Sequence, residues 1–322
     1  MSFENVGAVV IGRNEGQRLA RCLSSLSGSV DTLIYVDSGS TDGSIELARE
    51  LGAEIVELDL TVPFTAARAR NAGLLRLTEI DPGGDFVQFV DGDCEVESGW
   101  IKAGVAAIER SSDTAVVCGR RREIEPEASI YNRLIDREWD TPLGEVKSCG
   151  GDALMRRSAL GAVGGFDPAF IAGEEPELCC RLRNAGWKIV RIDEEMTRHD
   201  ARLLTFGQWW TRARRGGYAY GLLNTRHGRP PERAKSVEVR RVLVWGVAIP
   251  MVLLASAFVS VPMAFLIALL YPAQIVRQRL KGTEWKEAFF LLLAKFPEAL
   301  GLLEQTWHRL TGQRRRLIEY KS

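Results

Sequence analysis

Three apolar runs of strand length, residues 6–11, 32–36 and 86–90, each end in a polar cluster: Arg13-Asn14-Glu15, Asp37-Ser38-Gly39-Ser40 and Asp91-Gly92-Asp93. Helical spacing fills the gaps. Leu19, Cys22, Leu23 and Leu26 share one face, helices are expected at about 44–51 and 66–77, and a further strand at 54–58. This alternation predicts an α/β fold with a mostly parallel sheet covered by helices on both faces. Such sheets bind ligands at the carboxyl ends of their strands, which is where the three clusters fall.

Asp91-Gly92-Asp93 carries the most chemistry. Two carboxylates one residue apart on a sharp turn suit a hard, oxygen-liganded cation such as Mg²⁺ or Mn²⁺, and such a cation is what a diphosphate leaving group needs. Asp-Gly is also an ordinary turn dipeptide, so the triplet gains weight only from the motifs around it.

At 322 residues the chain has room for one large domain and an appendage. Lys+Arg 42 against Asp+Glu 42 leaves no net charge, which argues against a nucleic-acid partner. Locally the balance differs: between Arg202 and Arg241 ten Arg and Lys face only Glu232 and Glu238. The six cysteines, Cys22, Cys94, Cys118, Cys149, Cys179 and Cys180, show no zinc-like spacing and are expected to be reduced core residues of a cytosolic domain. No signal peptide is expected at the N-terminus, because the first apolar run is only strand-length before Arg13 and Glu15.

Residues 242–276 contain no charge and are interrupted by Pro250, Pro262 and Pro272. Crossing hydrocarbon about 30 Å thick takes roughly 20 helical residues, so the stretch is long for one crossing and short for two. Ser260 and Pro262 fit the cap and first turn of a second helix, which predicts a tight or re-entrant hairpin. Arg240 and Arg241 precede it and Arg277, Arg279 and Lys281 follow, so both ends are expected on the cytoplasmic side. A buried helix pair of a soluble domain is the alternative. Downstream, Trp285, Ala288, Phe289, Leu292, Phe296, Leu300 and Leu303 predict an amphipathic helix in the headgroup plane.

Val9-Val10-Ile11-Gly12-Arg13-Asn14-Glu15-Gly16, Val36-Asp37-Ser38-Gly39-Ser40-Thr41-Asp42-Gly43, Ala69-Arg70-Asn71-Ala72-Gly73, Asp91-Gly92-Asp93 and Gly173-Glu174-Glu175-Pro176-Glu177-Leu178 together resemble the family 2 glycosyltransferases of GT-A fold. The resemblance covers about residues 5–200. Gly12 stands where the family commonly has Pro or Ala, and Ser38 replaces one of a frequent Asp-Asp pair.

What the resemblance implies can be stated residue by residue. Glu15 and Asp37 would contact the ribose and base of a UDP- or GDP-sugar, with Arg70 near the nucleotide. Asp93 would ligate the metal, Asp91 would touch the ribose or the metal shell, and His199 would add one more ligand. Glu175 would be the base that takes the acceptor's proton, and Glu174 beside it would contact the acceptor. Cys149-Gly150-Gly151-Asp152 would face the acceptor through Gly150, Gly151 and Asp152. Plainer readings stay open: an Asx turn for Asp37, an ion pair for Arg70, a loop histidine for His199, dipole-complementing acids for Glu174 and Glu177, and a simple turn for Gly-Gly. Gln208-Trp209-Trp210-Thr211-Arg212 is one residue out of step with the Gln-x-x-Arg-Trp signature of processive synthases, and no processivity is read from it.

The expected organisation is a nucleotide-sugar-binding catalytic domain over 1–200, a basic linker with interfacial helices over 201–241, a membrane hairpin over 242–276, and an amphipathic helix with a basic tail over 277–322. The expected activity is inverting, metal-dependent transfer to a hydroxyl of a lipid-linked or polysaccharide acceptor, at a membrane lipid surface facing the cytoplasm. Transfer to a polyprenyl phosphate is the enzymatic alternative, and a silent nucleotide-sugar-binding scaffold the alternative of another class.

Overall fold

The computed structural model describes residues 5–312. The basic tail expected beyond them lies outside the described residues. The chain divides into two compact units, Met1–Pro126 with Ile135–Arg202 and Glu127–Leu134 with Leu203–Ser322.

The strands are β1 (Val6–Gly12), β2 (Thr32–Asp37), β3 (Glu54–Glu57), β4 (Phe86–Asp91), β5 (Cys94–Val96), β6 (Thr114–Glu123), β7 (Gly144–Glu145), β8 (Ala153–Arg156) and β9 (Lys188–His199). The helices of the first part are α1 (Gln17–Leu26), α2 (Ser44–Glu50), α3 (Ala66–Ile80), α4 (Trp100–Ile108), α5 (Ile130–Glu138), α6 (Arg157–Val163) and α7 (Glu174–Asn184). Those that follow are α8 (Phe206–His227), α9 (Ser236–Leu243), α10 (Ile249–Val259), α11 (Val261–Ala268), α12 (Leu270–Leu280), α13 (Trp285–Leu293) and α14 (Lys295–Thr311).

The sheet runs β3-β2-β1-β4-β8-β6-β9-β5, with β7 on β9. The first four strands are parallel, as the alternation predicts. The remainder is mixed, because β8 enters antiparallel between β4 and β6, while β6 and β9 are parallel. "Mostly parallel" therefore describes only the half in which strand and helix alternate. Strand β9 also exceeds the expected 188–192 and ends at His199: the exposed Asp193, Glu194 and Glu195 mask the pattern, and Met196 and Thr197 resume it as buried residues.

The core joins Val6, Val9, Val10, Ile34, Val36, Phe89 and Val90 with the inner faces of α1 and α3. Helix α3 starts at Thr65, whose hydroxyl accepts the Arg68 backbone N–H at 3.1 Å. It lies so close to the sheet that a Cβ on Gly73 would stand 2.3 Å from Val9 Cγ1 and 2.9 Å from Val36 Cγ2. The small residue lets this turn of α3 rest on β1 and β2.

In the second unit, α8 begins with a capping box in which Thr205 and Gln208 satisfy one another's backbone. Gln208 therefore serves as a cap. Helices α8 and α14 touch backbone to backbone: a Cβ on Gly217 would lie 2.0 Å from the Glu298 carbonyl oxygen, and one on Gly301 1.9 Å from that of Arg214. Helix α9, a π-helical stretch at Val244–Ala248 and α10 run on as one helix, Ser236–Val259, and a second, Val261–Leu280, follows after a break at Ser260. Both are long and apolar enough to cross a membrane. Tyr271 donates to the Trp245 carbonyl at 2.9 Å, so the two run back along one another as a hairpin. The helix expected from Trp285 to Leu303 is instead two, α13 and α14, because Pro297 has no N–H for the Leu293 carbonyl and its ring crowds that carbonyl.

Candidate active site

The loops after β1 and β2 are tied to each other. Asn14, at φ 54°, accepts the Thr41 N–H on its side-chain oxygen at 2.7 Å and donates its own N–H to Ser40 Oγ at 2.9 Å. Asp37, 2% exposed, accepts from Tyr35 Oη at 2.9 Å on Oδ1, and from the backbone N–H groups of Gly39 and Ser40 at 2.8 Å each on Oδ2. It holds the loop's shape as an Asx turn does. Glu15 pairs with Arg18 at 2.7 Å, and its Cγ is 3.4 Å from where a Cβ on Gly92 would be. The Glu15 stem thus lies over the β4 turn, and the Gly92 N–H donates to the Ile11 carbonyl at 2.8 Å.

Asp91 is the centre of a buried ionic network. Its Oδ1 accepts from Arg70 Nη2 at 2.8 Å, its Oδ2 from Arg121 Nη2 at 3.3 Å, and its N–H donates to Asp152 Oδ1 at 3.0 Å. Arg70 donates onward from Nη1 to Glu174 Oε1 at 2.7 Å and lies over the Phe166 ring, which packs edge-on against Phe89. Asn71 clamps the Phe166 backbone in both directions. The Arg70-Asn71-Ala72-Gly73 motif thus has one task per residue: Arg70 joins two carboxylates, Asn71 fixes the ring beneath it, and Gly73 meets the sheet.

Two of the expected site residues are turned inward. Arg70, placed beside the nucleotide from sequence, is 2% exposed and spent on Asp91 and Glu174. Asp152, placed at the acceptor, is fully buried: Oδ2 accepts the Thr197 hydroxyl at 2.8 Å and lies 3.4 Å from Arg121 Nε. An unpaired charge in that position would cost several kcal/mol, so Asp152 is drawn inward to orient the end of β4. Gly151 stays at the site, since a Cβ there would lie 2.9 Å from Asp91 Oδ2 and 3.1 Å from Arg70 Nη2. The neighbouring Gly150, at φ 83°, is exposed.

Asp93 and His199 converge from the β4–β5 turn and the end of β9, with His199 Nε2 3.3 Å from Asp93 Oδ2. Cys94 Sγ completes a set of three donors within 4.8 Å of one another. Burial, with Arg121 nearby, lowers the His199 pKa from its ordinary value, so the imidazole is neutral at pH 7 and keeps a lone pair for coordination. Glu123, 3.7 Å from His199 Nδ1, and the Trp139 ring, edge-on at 4.9 Å, orient it. Asp93 and His199 are each buried to 5% exposure; the carboxylate is the type of donor that suits Mg²⁺ or Mn²⁺, and the imidazole and the Cys94 sulfur favour a transition metal such as Mn²⁺ over Mg²⁺.

Helix α7 opens with Glu174, Glu175 and Glu177, where its dipole favours anions. Their surroundings separate them. Glu174 pairs with Arg70, and Glu177 with Arg181 at 2.8 Å. Glu175 pairs with no cation among the described residues: its Oε1 accepts the Cys149 backbone N–H at 2.6 Å and the thiols of Cys149 and Cys179 at 3.1 and 3.0 Å. Burial raises its pKa from the ordinary glutamate value, against the pull of these hydrogen bonds. Among the described residues no donor reaches Oε2.

Arg121, Glu123, Trp139, Cys94 and Thr197 are absent from the residues picked out by sequence. Arg120-Arg121-Arg122 closing the apolar run of β6 was a readable signal, since it repeats the pattern of a strand ending in charge. The others are recognisable only once β5, β6 and β9 are side by side.

A model of glycosyl transferase family 2 matches residues 8–164, and one of glycosyl transferase family group 2 matches residues 136–297. Glycosyltransferase AglE of Haloferax volcanii is 24% identical over 61% of this chain and 67% of its own length. The pre-mycofactocin glycosyltransferase of Mycobacterium tuberculosis is 29% identical over 62% of this chain and 44% of its own. Succinoglycan biosynthesis protein ExoA of Rhizobium meliloti is 27% identical over 56% and 58%. The chain thus spans about half to two thirds of the length of the curated relatives it matches. Among solved structures, mannosyltransferase PcManGT of Pyrobaculum calidifontis, in complex with GDP-Man and Mn²⁺, superposes with a TM-score of 0.64 at 18% identity, over 93% of this chain and 87% of that one. The fold is therefore GT-A.

Proposed function

We propose, for a chain that belongs to glycosyl transferase family 2, that this enzyme moves a sugar with inversion from a nucleoside-diphosphate donor to a hydroxyl of a lipid-linked or polysaccharide acceptor at the cytoplasmic face of a membrane. The observation that supports it most is the separation of two carboxylates by environment: Asp93 beside a neutral imidazole, and Glu175 buried without a cation. The first suits a metal and the second a proton. A divalent cation held by Asp93 and His199 would stabilise the charge that builds on the departing diphosphate.

The loops carrying Glu15 and Asp37 would hold the nucleoside at the carboxyl ends of β1 and β2. Asp91, braced by Arg70, Arg121 and Asp152, would present a fixed carboxylate edge to the ribose. As the acceptor oxygen bonds to the anomeric carbon, the bond from that carbon to the diphosphate oxygen breaks. The hydroxyl proton passes to Glu175. With Oε1 occupied by three donors, Oε2 is the oxygen left to take it, and a raised pKa makes that oxygen a stronger base than an exposed glutamate.

The hairpin supports a membrane-bound acceptor: Met251, Leu254, Phe258, Val259, Val261, Phe265 and Leu266 are all more than half exposed. Arg240 and Arg241 on one arm and Arg277 and Arg279 on the other put cations at the same end of the hairpin, which favours a cytoplasmic location for both. The test is transfer of labelled sugar from UDP- and GDP-sugars to membrane extract, with Mn²⁺ and with chelator. Full activity in excess chelator overturns the metal-dependent reading. Full activity of Glu175→Gln points to a phosphate acceptor, which needs no base.

A further inference from the structure

Cys149, Glu175 and Cys179 meet inside the first unit, although the sequence spaces no two cysteines as a metal site does. Glu175 and Cys179 are one turn apart on α7, and Cys149 reaches them from the loop before β8. Their ligand atoms lie within 4.8 Å of one another, and the two sulfurs are 3.8 Å apart. None of the three is more than 8% exposed, and all six cysteines are free thiols.

We propose that Cys149, Cys179 and Glu175 form a site for a soft divalent cation, Zn²⁺, separate from the Asp93–His199 pair, and that loading it withdraws Glu175 from the acceptor. The second half rests on the reading of Glu175 as base; the first does not.

The spacing is the first argument. Zinc in tetrahedral coordination, with bonds of about 2.3 Å to sulfur, holds two sulfurs about 3.8 Å apart, which is the separation present without any ion. A carboxylate oxygen in the same shell stands about 3.5 Å from each sulfur, so Glu175 Oε1, at 3.0–3.1 Å, need move only about half an ångström. Ligand type is the second: thiolate sulfur selects zinc over the oxygen-seeking Mg²⁺ and Mn²⁺, and this pocket offers two sulfurs where the Asp93–His199 pair has one, Cys94. Three protein ligands leave a fourth position for water. On loading, the S–H protons of Cys149 and Cys179 pass to solvent, and the ion replaces them as the partner of Glu175.

The test uses the full-length protein and Co²⁺ as a spectroscopic stand-in, because a cobalt–thiolate bond has a near-ultraviolet charge-transfer absorption that oxygen and nitrogen ligands lack. One equivalent of Co²⁺ should produce that absorption, and Zn²⁺ should abolish it by displacement. It should persist in Cys94→Ser, which disables the sulfur beside the Asp93–His199 pair, and fall by about half in Cys179→Ser, a substitution that keeps the size and the hydrogen bond. It should vanish in Cys149→Ala/Cys179→Ala. Glu175→Gln, with both thiols in place, should weaken Co²⁺ binding at least tenfold and serves if the double variant fails to fold. No thiolate absorption in the wild type, or its loss in Cys94→Ser alone, overturns the site. With Mn²⁺ saturating, one equivalent of Zn²⁺ should lower transfer on the order of 10²-fold, the scale of a lost general base. Zn²⁺ bound through both thiols with transfer undiminished would leave the site standing and remove Glu175 as the base.

Discussion

In the first unit Arg70, Asp152, Glu175 and His199 are drawn into the interior, each held by named partners, while the sheet's valines and isoleucines are sealed from solvent. In the second, Phe258 at 86% and Val259 at 79% exposure stand in the open, and Gly217 and Gly301 lie directly against backbone carbonyls. One unit is arranged for water, which drives apolar groups inward and makes buried charge expensive unless paired. The other resembles helices packed in hydrocarbon, where apolar side chains need no cover and small residues set the contact. Buried charge in the first unit and bare apolar surface in the second are each unfavourable in the wrong medium, and each is what the proposed activity requires: a preorganised ionic site and a means of holding it at a lipid-linked acceptor.

The hardest test of the first region is Asp93→Ala, expected to lower kcat/KM by about 10³-fold or more, since metal stabilisation of the leaving group is worth several kcal/mol. Asp93 is buried beside His199, so urea unfolding of the variant is measured alongside to separate lost chemistry from lost stability; retained transfer with the usual Mn²⁺ response would break the comparison on that side. Glu175→Gln should cost roughly 10²–10⁴ in kcat with donor affinity unchanged. If Glu174→Gln is the slower enzyme of the two, the assignment within the pair is wrong.

Arg70→Met removes the cation between Asp91 and Glu174 and should destabilise the first unit by about 3–5 kcal/mol in urea unfolding. A loss below about 1 kcal/mol would mean that water reaches those carboxylates. In the second region, Met251→Lys places a charge on an exposed hairpin arm. It should weaken membrane insertion by about 2.5–3.5 kcal/mol, read by alkaline extraction, and leave the first unit's melting unchanged. Unaltered extraction would assign the hairpin to a soluble interface. Smallest is Gly301→Ala, whose Cβ meets the Arg214 carbonyl and should cost about 1–3 kcal/mol in the α8–α14 contact alone.

Strands β1 to β4, the helices between them and the three clusters at the strand ends were legible because each depends on neighbours a few residues away, where periodicity and turn chemistry act. The break at Ser260 was legible for the same reason: Pro262 opens the second helix, and Ser260 turns extended between the two, although its side chain makes no capping hydrogen bond. The split of α13 from α14 had a local cause too, but the apolar spacing runs across Pro297 without a gap, and spacing by itself does not register a missing N–H.

What only the tertiary structure decided were the partners that arrive from elsewhere in the chain. Arg70 reaches a glutamate 104 residues away and Asp152 an amide 61 residues away, so neither residue type nor spacing could tell a ligand contact from a brace. The same holds for Glu175. Its place in the motif marked it and Cys179 lies one turn on along the same helix, but its raised pKa comes from burial and its other thiol partner, Cys149, from 26 residues away. Local sequence determines where the backbone turns and which residues are offered at the sheet's edge. Which carboxylate is neutralised by an arginine, which meets a histidine and which is left among thiols depends on desolvation and charge at distances of about 3 Å, and those distances exist only after the strands have found one another.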